Sequence, residues 1–223
     1  MKPICIIPAR GGSKRLPRKN ILPYEGKPLI VHVISAALQS ACFDDVIVSS
    51  DDEGILAIAA EAGAYPHKRR TELGEDRATV VDVCLEVLES FLANDFCCLY
   101  ATAALIKKDT IVKSCENYHK NKKNGAKTLM GVSEYEHHPV QAIVKGNDGF
   151  FTQLFPEFSG VQSQFFPDVC VSNGTFYWAE TNVFRSQKTF YGRALSVYVV
   201  PEDEACDIDT VEDYQRLLKH KGG

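Results

Sequence analysis

Two patterns of apolar spacing alternate along the first half of the chain. Continuous apolar runs at 4–7, 46–49 and 96–100 predict buried strands, whereas apolar positions recurring every three or four residues predict helices over 28–40, 53–62, 80–92 and 110–122. Leu29, Val33, Ala36 and Ala37 form one helical face, with Pro28 suited to the first turn, Gly63 to a helix end and Thr79 to an N-cap. Strands and helices in this order imply a mostly parallel sheet covered on both faces, a doubly wound α/β fold.

The pattern changes after Gly125. A strand is expected at 126–132. Short apolar runs at 140–144 and 150–154 then flank Gly146-Asn147-Asp148-Gly149, which predicts an antiparallel hairpin. No helix is expected in this stretch, and the main sheet resumes at 175–179 and 195–200. Residues 134–176 therefore read as a small β-rich lobe inserted into a single domain spanning 1–223. Phe155, Phe158, Phe165 and Phe166 crowd it, as a subunit interface or a small core.

With 45% hydrophobic residues the chain has material for a buried core, and its net charge of -4 argues against a nucleic-acid binder. No apolar run reaches membrane-spanning length and no signal-peptide pattern opens the chain, so a cytoplasmic protein without membrane contact is expected. The eight cysteines include no C-x-x-C pair; Cys5, Cys97 and Cys98 fall in strand-like runs and Cys84 and Cys115 in helix-like ones, as small buried hydrophobes do.

Against that acidic background, positive charge is gathered in one place. The run from Ile4 breaks at Pro8 into Ala9-Arg10-Gly11-Gly12-Ser13-Lys14-Arg15-Leu16-Pro17-Arg18-Lys19-Asn20, which holds five cations before the first acid, Glu25. Open α/β sheets bind ligands outside strand C-termini, and paired glycines let backbone N–H groups approach phosphate oxygens. The loop matches neither G-x-x-x-x-G-K-[ST] nor G-x-G-x-x-G. It is either a solvated basic loop or a polyphosphate site, and its length, with stiffening by Pro17 and Pro23, favours the latter. Arg10, Lys14 and Lys19 are spaced to converge on one polyanion, whereas Arg15 and Arg18 are read as facing water.

Asp207-Ile208-Asp209-Thr210 follows the last predicted strand. In an extended segment Asp207 and Asp209 share a face while Ile208 turns inward, an arrangement suited to Mg²⁺ held by one or two carboxylates. Helix capping competes: Thr210 and Asp213 have capping-box spacing, which leaves Asp207 without a role.

The opening segment resembles the signature of cytidylyltransferases that activate nonulosonic acids, the family of CMP-sialic acid synthetases. The resemblance continues through Ser49-Ser50-Asp51-Asp52, Arg70-Thr71-Glu72-Leu73, Tyr100-Ala101-Thr102, Glu136-His137-His138-Pro139, Asn173-Gly174 and Asp207-Ile208-Asp209-Thr210. It implies a Rossmann-like core and a homodimer built through an exchanged lobe. It further implies that Ala9, Arg10, Asn20 and Arg70 contact the nucleoside of CTP, and that Arg10, Ser13, Lys14 and Lys19 hold its triphosphate. Asp207 and Asp209 would bind Mg²⁺, and Tyr100, Thr102, Gln164 and Tyr177 would lie towards a nine-carbon sugar acid. The implied reaction is attack of the sugar's anomeric hydroxyl on the α-phosphate, giving CMP-sugar and pyrophosphate, with Arg10, Lys19, Asp207 and Asp209 as the catalytic set.

Tyr100-Ala101-Thr102-Ala103, Ser163-Gln164 and Phe176-Tyr177-Trp178 look most like the pseudaminic acid branch, whereas His137-His138-Pro139 looks like the sialate branch. N-acylneuraminate and legionaminic acid are thus the alternative substrates. A 3-deoxy-octulosonate enzyme fits the opening motif less well. Gln162 stands where both branches tend to carry Arg and Gln141 where the sialate enzymes have Lys, leaving Lys145 or Arg193 to meet the substrate carboxylate. The histidine pair lacks partners at metal-ligand spacing and reads as a turn or dimer contact. A reading of another class is a catalytically silent nucleotide-sugar binding protein.

Overall fold

A computed structural model of the chain describes residues 1–70, 73 and 78–219; Thr71 and Glu72 of the quoted motif lie outside the described residues. The first strand, β1 (Ile4–Pro8), is followed by the basic loop and a two-residue hairpin, β2 (Pro23–Tyr24) and β3 (Lys27–Pro28). Glu25 and Gly26 take left-handed conformations at its turn, the geometry that two-residue hairpins favour. Then come α1 (Leu29–Ser40), β4 (Val46–Ser50), α2 (Glu53–Glu61), β5 (Tyr65–Lys68), α3 (Val80–Ser90), β6 (Asp95–Leu99) and α4 (Lys108–Lys123). The second half runs through β7 (Thr128–Glu134), β8 (Ile143–Lys145), β9 (Phe151–Gln153), β10 (Cys170–Glu180), α5 (Thr181–Gln187), β11 (Leu195–Val199) and α6 (Val211–Lys219).

Seven strands form the central sheet in the order β11-β7-β10-β6-β1-β4-β5. All pairings are parallel except those of β10, which lies antiparallel between β6 and β7. The fold is therefore a Rossmann-like, mostly parallel α/β sheet, as the alternation predicts. Three features of the main sheet and its helices differ from the expectation. Strand β5 carries Pro66 and exposed side chains and shows no apolar run; as an edge strand paired only to β4 it needs none. Helix α5 is too short for a periodic signal, although Phe184 is buried. Strand β10 begins at Cys170, earlier than expected, because its first residues pair with the end of β7 before a bulge between Ser172 and Tyr177.

Alternate residues of β1 feed two cores. Cys5 and Ile7 pack with Ile30, Val33 and Ile34 of α1 and Ile111 of α4, while Ile4 and Ile6 pack with Cys84, Val87 and Leu88 of α3. Thr79 caps α3 reciprocally with Asp82, as its position predicts. Pro28 sits just outside α1 as its N-cap. All eight cysteines are free thiols, and Cys5, Cys84, Cys97, Cys98 and Cys115 are buried.

A third cluster explains how the chain ends meet. Leu16 of the basic loop, Tyr24, Leu29, Ala104, Ile208 and Leu217 of α6 bury together, and the Tyr214 hydroxyl donates to the Pro23 carbonyl at 2.5 Å.

The stretch between β7 and β10 holds the small β8–β9 sheet, turning at Gly146 to Gly149, and three short 3-10 turns where no helix was expected. His138 is a turn contact: its Nδ1 accepts from Val140 N–H at 3.2 Å and its Nε2–H donates to the Pro167 carbonyl at 2.9 Å. Phe158 and Phe166 contact each other edge to face, whereas Phe150, Phe151 and Phe165 are exposed.

Candidate active site

The connection from β1 leads to β4 on one side and that from β6 leads to β7 on the other, so the chain reverses direction between β1 and β6. A crevice opens at such a switch point, beyond the C-terminal ends of parallel strands. A cavity of about 330 Å³ lies there, lined by Arg10, Lys19 and Asn20 of the basic loop and by Tyr100, Ala101 and Thr102 after β6. Its remaining wall includes Arg69, Leu73, Thr79 and Val83.

The basic loop is tied down at several points. Ala9 N–H donates to the Ser49 carbonyl at 2.9 Å, Gly11 N–H donates to Asp51 Oδ1 at 3.0 Å, and the buried Asn20 amide donates to the Arg10 carbonyl at 3.0 Å. Asp52 caps α2 by accepting from Ile55 N–H and packs so closely on Gly11 that a Cβ there would stand 2.7 Å from the Asp52 Cβ. The Ser49-Ser50-Asp51-Asp52 segment is thus the loop's support.

The acidic end of the chain reaches the same place. Lys19 Nζ meets Asp209 Oδ1 at 2.8 Å, and Arg15 Nη2 meets Asp209 Oδ2 at 2.5 Å. Burial alone would raise the Asp209 pKa, but hydrogen bonds and charge from Lys19 and Arg15 outweigh it and hold the carboxyl below its ordinary value. Asp207 goes the other way. Although the residue reaches solvent, crowding of its carboxyl raises its pKa and the nearby Asp209 adds to this, against Lys19 and a hydrogen bond with Thr102. Gly174, in the bulge of β10 with φ +67, brings its backbone against Asp207; a Cβ there would lie 3.1 Å from Asp207 Oδ2. Ile208 between the two aspartates is fully buried, as the i, i+2 argument requires. Capping is real but separate: Thr210 and Asp213 form the reciprocal pair, while the Asp209 carboxylate goes to Lys19 and Arg15 and that of Asp207 to Thr102.

Tyr100 and Tyr177 pack with ring centroids 5.7 Å apart, and the Tyr177 hydroxyl lies 2.5 Å from Ser172 Oγ. Burial raises both phenol pKa values, so Tyr100 faces the cavity as a neutral hydroxyl.

The chain has counterparts among known proteins. A family model described as Cytidylyltransferase matches residues 4–147. The chain belongs to the cytidylyltransferase family. A pseudaminic acid cytidylyltransferase of Campylobacter jejuni is 38% identical over 222 residues, covering 96% of this chain and 94% of the relative. An N-acylneuraminate cytidylyltransferase of Streptococcus agalactiae is 31% identical, covering 99% of this chain and 53% of the relative. A solved CMP:2-keto-3-deoxy-manno-octonic acid synthetase complexed with CTP matches with a TM-score of 0.74 over 98% of each chain, at 19% identity. A 4-diphosphocytidyl-2C-methyl-D-erythritol synthase from Anaerococcus prevotii matches with a TM-score of 0.69 over 98% of each chain, at 11% identity. At those identities the two structures speak for the fold alone.

In this cytidylyltransferase the sequence-selected Arg10, Lys19, Asn20, Tyr100 and Thr102 meet at one cavity, with Asp207 and Asp209 beside Thr102 and Lys19. Ala9 is buried behind it, Ser13 and Lys14 belong to the loop without lining the cavity, and Tyr177 stands behind Tyr100. Gln164 is exposed on the turn Ser163–Phe165 and does not line the cavity. Arg70 points away, to Glu86 at 3.0 Å and Glu89 at 3.5 Å. Its neighbour Arg69 takes the inward position. Only 6% exposed, Arg69 donates to the Ser49 and Leu73 carbonyls, and its buried Nε has no partner among the described residues. Burial lowers its pKa, opposed by Asp51 and Glu86. No signal in the sequence chose between them, because β5 carries no apolar alternation from which the inward position could be read. Arg15 is exposed, as read, but also holds Asp209.

Proposed function

We propose that this chain transfers CMP from CTP to the anomeric hydroxyl of a nonulosonic acid, pseudaminic acid before N-acylneuraminate or legionaminic acid, and releases pyrophosphate. The observation that carries this reading is the meeting of Lys19 and Arg15 with Asp209 beside a cavity of nucleoside size. Arg10, Asn20 and the buried Arg69 are the groups suited to the nucleoside, with Arg69 taking the role the sequence resemblance put on Arg70. Its unpartnered Nε–H offers a donor where a cytosine presents the acceptors O2 and N3.

Arg10, Ser13, Lys14 and Lys19 would surround the triphosphate. Their role is to align the α-phosphate with the incoming hydroxyl and to neutralise charge moving onto the leaving pyrophosphate. Among the described residues no group of three or more His, Cys, Asp or Glu side chains is placed to hold a metal ion. Asp207 and Asp209 nevertheless fit Mg²⁺, which takes hard oxygens, uses one or two carboxylates and completes its shell with water and phosphate oxygens. When bound, Mg²⁺ would supply charge neutralisation at the phosphates. Tyr100 and Thr102, with Tyr177 behind them, border the side of the cavity left for the sugar acid, and Gln164 would belong to that side only if the lobe closes over it.

We further infer that residues 134–176 form the dimerisation lobe of a homodimer. Support comes from Phe150, 74% exposed, and from Ile143, Phe151 and Phe165, all carried outside the main sheet. No helix among the described residues is long and apolar enough to cross a membrane.

The test is pyrophosphate release from CTP and Mg²⁺ with pseudaminic, N-acylneuraminic and legionaminic acids offered one at a time. Release above background with pseudaminic acid is expected to be fastest. Absence of release with every acid would favour the silent nucleotide-sugar binding protein.

A further inference from the structure

Both oxygens of Asp209 are engaged by cations of the phosphate loop, one by Lys19 and the other by Arg15. The two cations are not equivalent. The Lys19 side chain is 16% exposed and lines the cavity, whereas the Arg15 side chain is 67% exposed and reaches Asp209 from the rim. Leu16, buried in the cluster that holds Ile208, fixes the backbone next to Arg15, so the guanidinium is the movable part of the contact. An exposed ion pair of this kind is weak and easily exchanged. A triphosphate offers the same guanidinium several charged oxygens in a geometry that its planar fork matches.

We propose that Arg15 is a positioning residue that latches Asp209 against divalent cations until nucleotide phosphates draw its guanidinium away. The proposal rests on the reading of Asp209 as a metal ligand of a CTP-dependent transferase. The latch acts through charge: a divalent cation approaching Asp209 meets two positive groups already at its oxygens. Phosphate that attracts Arg15 removes one of them and brings new oxygens for the metal. By linkage the effect is reciprocal, so metal at Asp209 frees Arg15 for the nucleotide and the two ligands favour each other's binding. Metal would then be taken up mainly together with the nucleotide.

Mn²⁺ titration of the protein without nucleotide, with free Mn²⁺ read by electron paramagnetic resonance, tests this without any turnover. The Arg15→Ala protein is expected to bind Mn²⁺ about three- to fivefold more tightly than the unaltered chain. Arg15→Lys, which keeps the charge, is expected to stay near the unaltered value. Adding Asp209→Asn to Arg15→Ala is expected to erase the gain. Equal Mn²⁺ affinity with and without Arg15, or a gain that survives Asp209→Asn, overturns the latch. Pyrophosphate release by the unaltered enzyme is scored separately. A chain that turns over but shows no Arg15 effect loses the latch alone, whereas a chain with no release for any acid loses the transferase reading.

Discussion

The loop following β1 and the stretch between β7 and β10 are both long excursions from the sheet, and they are held in opposite ways. The first is polar and cationic, yet its backbone and side chains are tied to Ser49, Asp51 and Asp209, and Leu16 anchors it in a buried cluster. The second is rich in apolar side chains, yet Ile143, Phe150, Phe151 and Phe165 stand in water. Full burial of each such side chain is worth about 1.5–3 kcal/mol, a driving force that the chain by itself leaves unused. A segment that spends its polar groups on internal contacts is preorganised for a ligand, while one that leaves apolar groups bare is preorganised for another surface.

The sharpest way to break that contrast is at the tied end. Asp209→Asn keeps the shape but removes the charge that Lys19 and Arg15 hold. Pyrophosphate release is expected to fall by about 10²–10³-fold with the circular dichroism spectrum unchanged. Unchanged turnover would reduce this region to a helix-capping loop.

Next in size is the comparison of neighbouring arginines. Arg69→Lys loses two carbonyl contacts and a fork inside the cavity wall, so KM for CTP is expected to rise about tenfold. Arg70→Lys keeps a cation beside the buried Glu86 and the exposed Glu89, outside the cavity wall, and a shift of less than about threefold is expected. Steady-state kinetics with CTP varied will rank the two, and a larger effect at Arg70 would return the nucleoside contact to the position the resemblance named.

At the bare end, Phe150→Asp combined with Phe151→Asp should shift light-scattering mass from two protomers towards one, with a dissociation constant raised at least about tenfold. A single-protomer mass before substitution would remove the reason for the exposed faces.

The smallest expected effect concerns the helix caps. Hydrogen bonds from Thr79 hold the Asp82 carboxyl below its ordinary pKa; at Asp213 burial pushes up, but bonds from Thr210 outweigh it. A depressed carboxylate pKa stabilises the fold above the unfolded value, near 3.9, and that stabilisation is lost as pH falls through the folded value. Thr79→Ala should therefore cost about 1 kcal/mol in urea unfolding at pH 7 and flatten the loss of stability on acidification below about pH 4. An unaltered acid slope would mean that the Thr79–Asp82 cap is not the source.

Much of the architecture was legible because it is written in neighbouring residues. The apolar run of β1, the 3.6-residue face of α1 and the capping pair at Thr79 each depend on contacts a few positions apart. Strand β5 and helix α5 were not legible, since an edge strand with few buried residues and a two-turn helix carry almost no periodic signal. In the site, the basic loop and the paired aspartates stood out by charge and spacing, whereas Arg69 did not, because nothing local distinguishes it from Arg70.

By itself, then, the sequence determined that positive charge collects where the first strand ends and that two carboxylates share one face near the last helix. Periodicity and charge clustering are local properties, and no folding is needed to see them. Only the tertiary structure decided that these distant groups meet, with Arg15 and Asp209 separated by 194 positions and joined at 2.5 Å. The order of strands in the sheet and the burial of Leu16 with Ile208 bring them together. Those are long-range pairings, and their energy comes from surfaces that exist only once the whole sheet has formed.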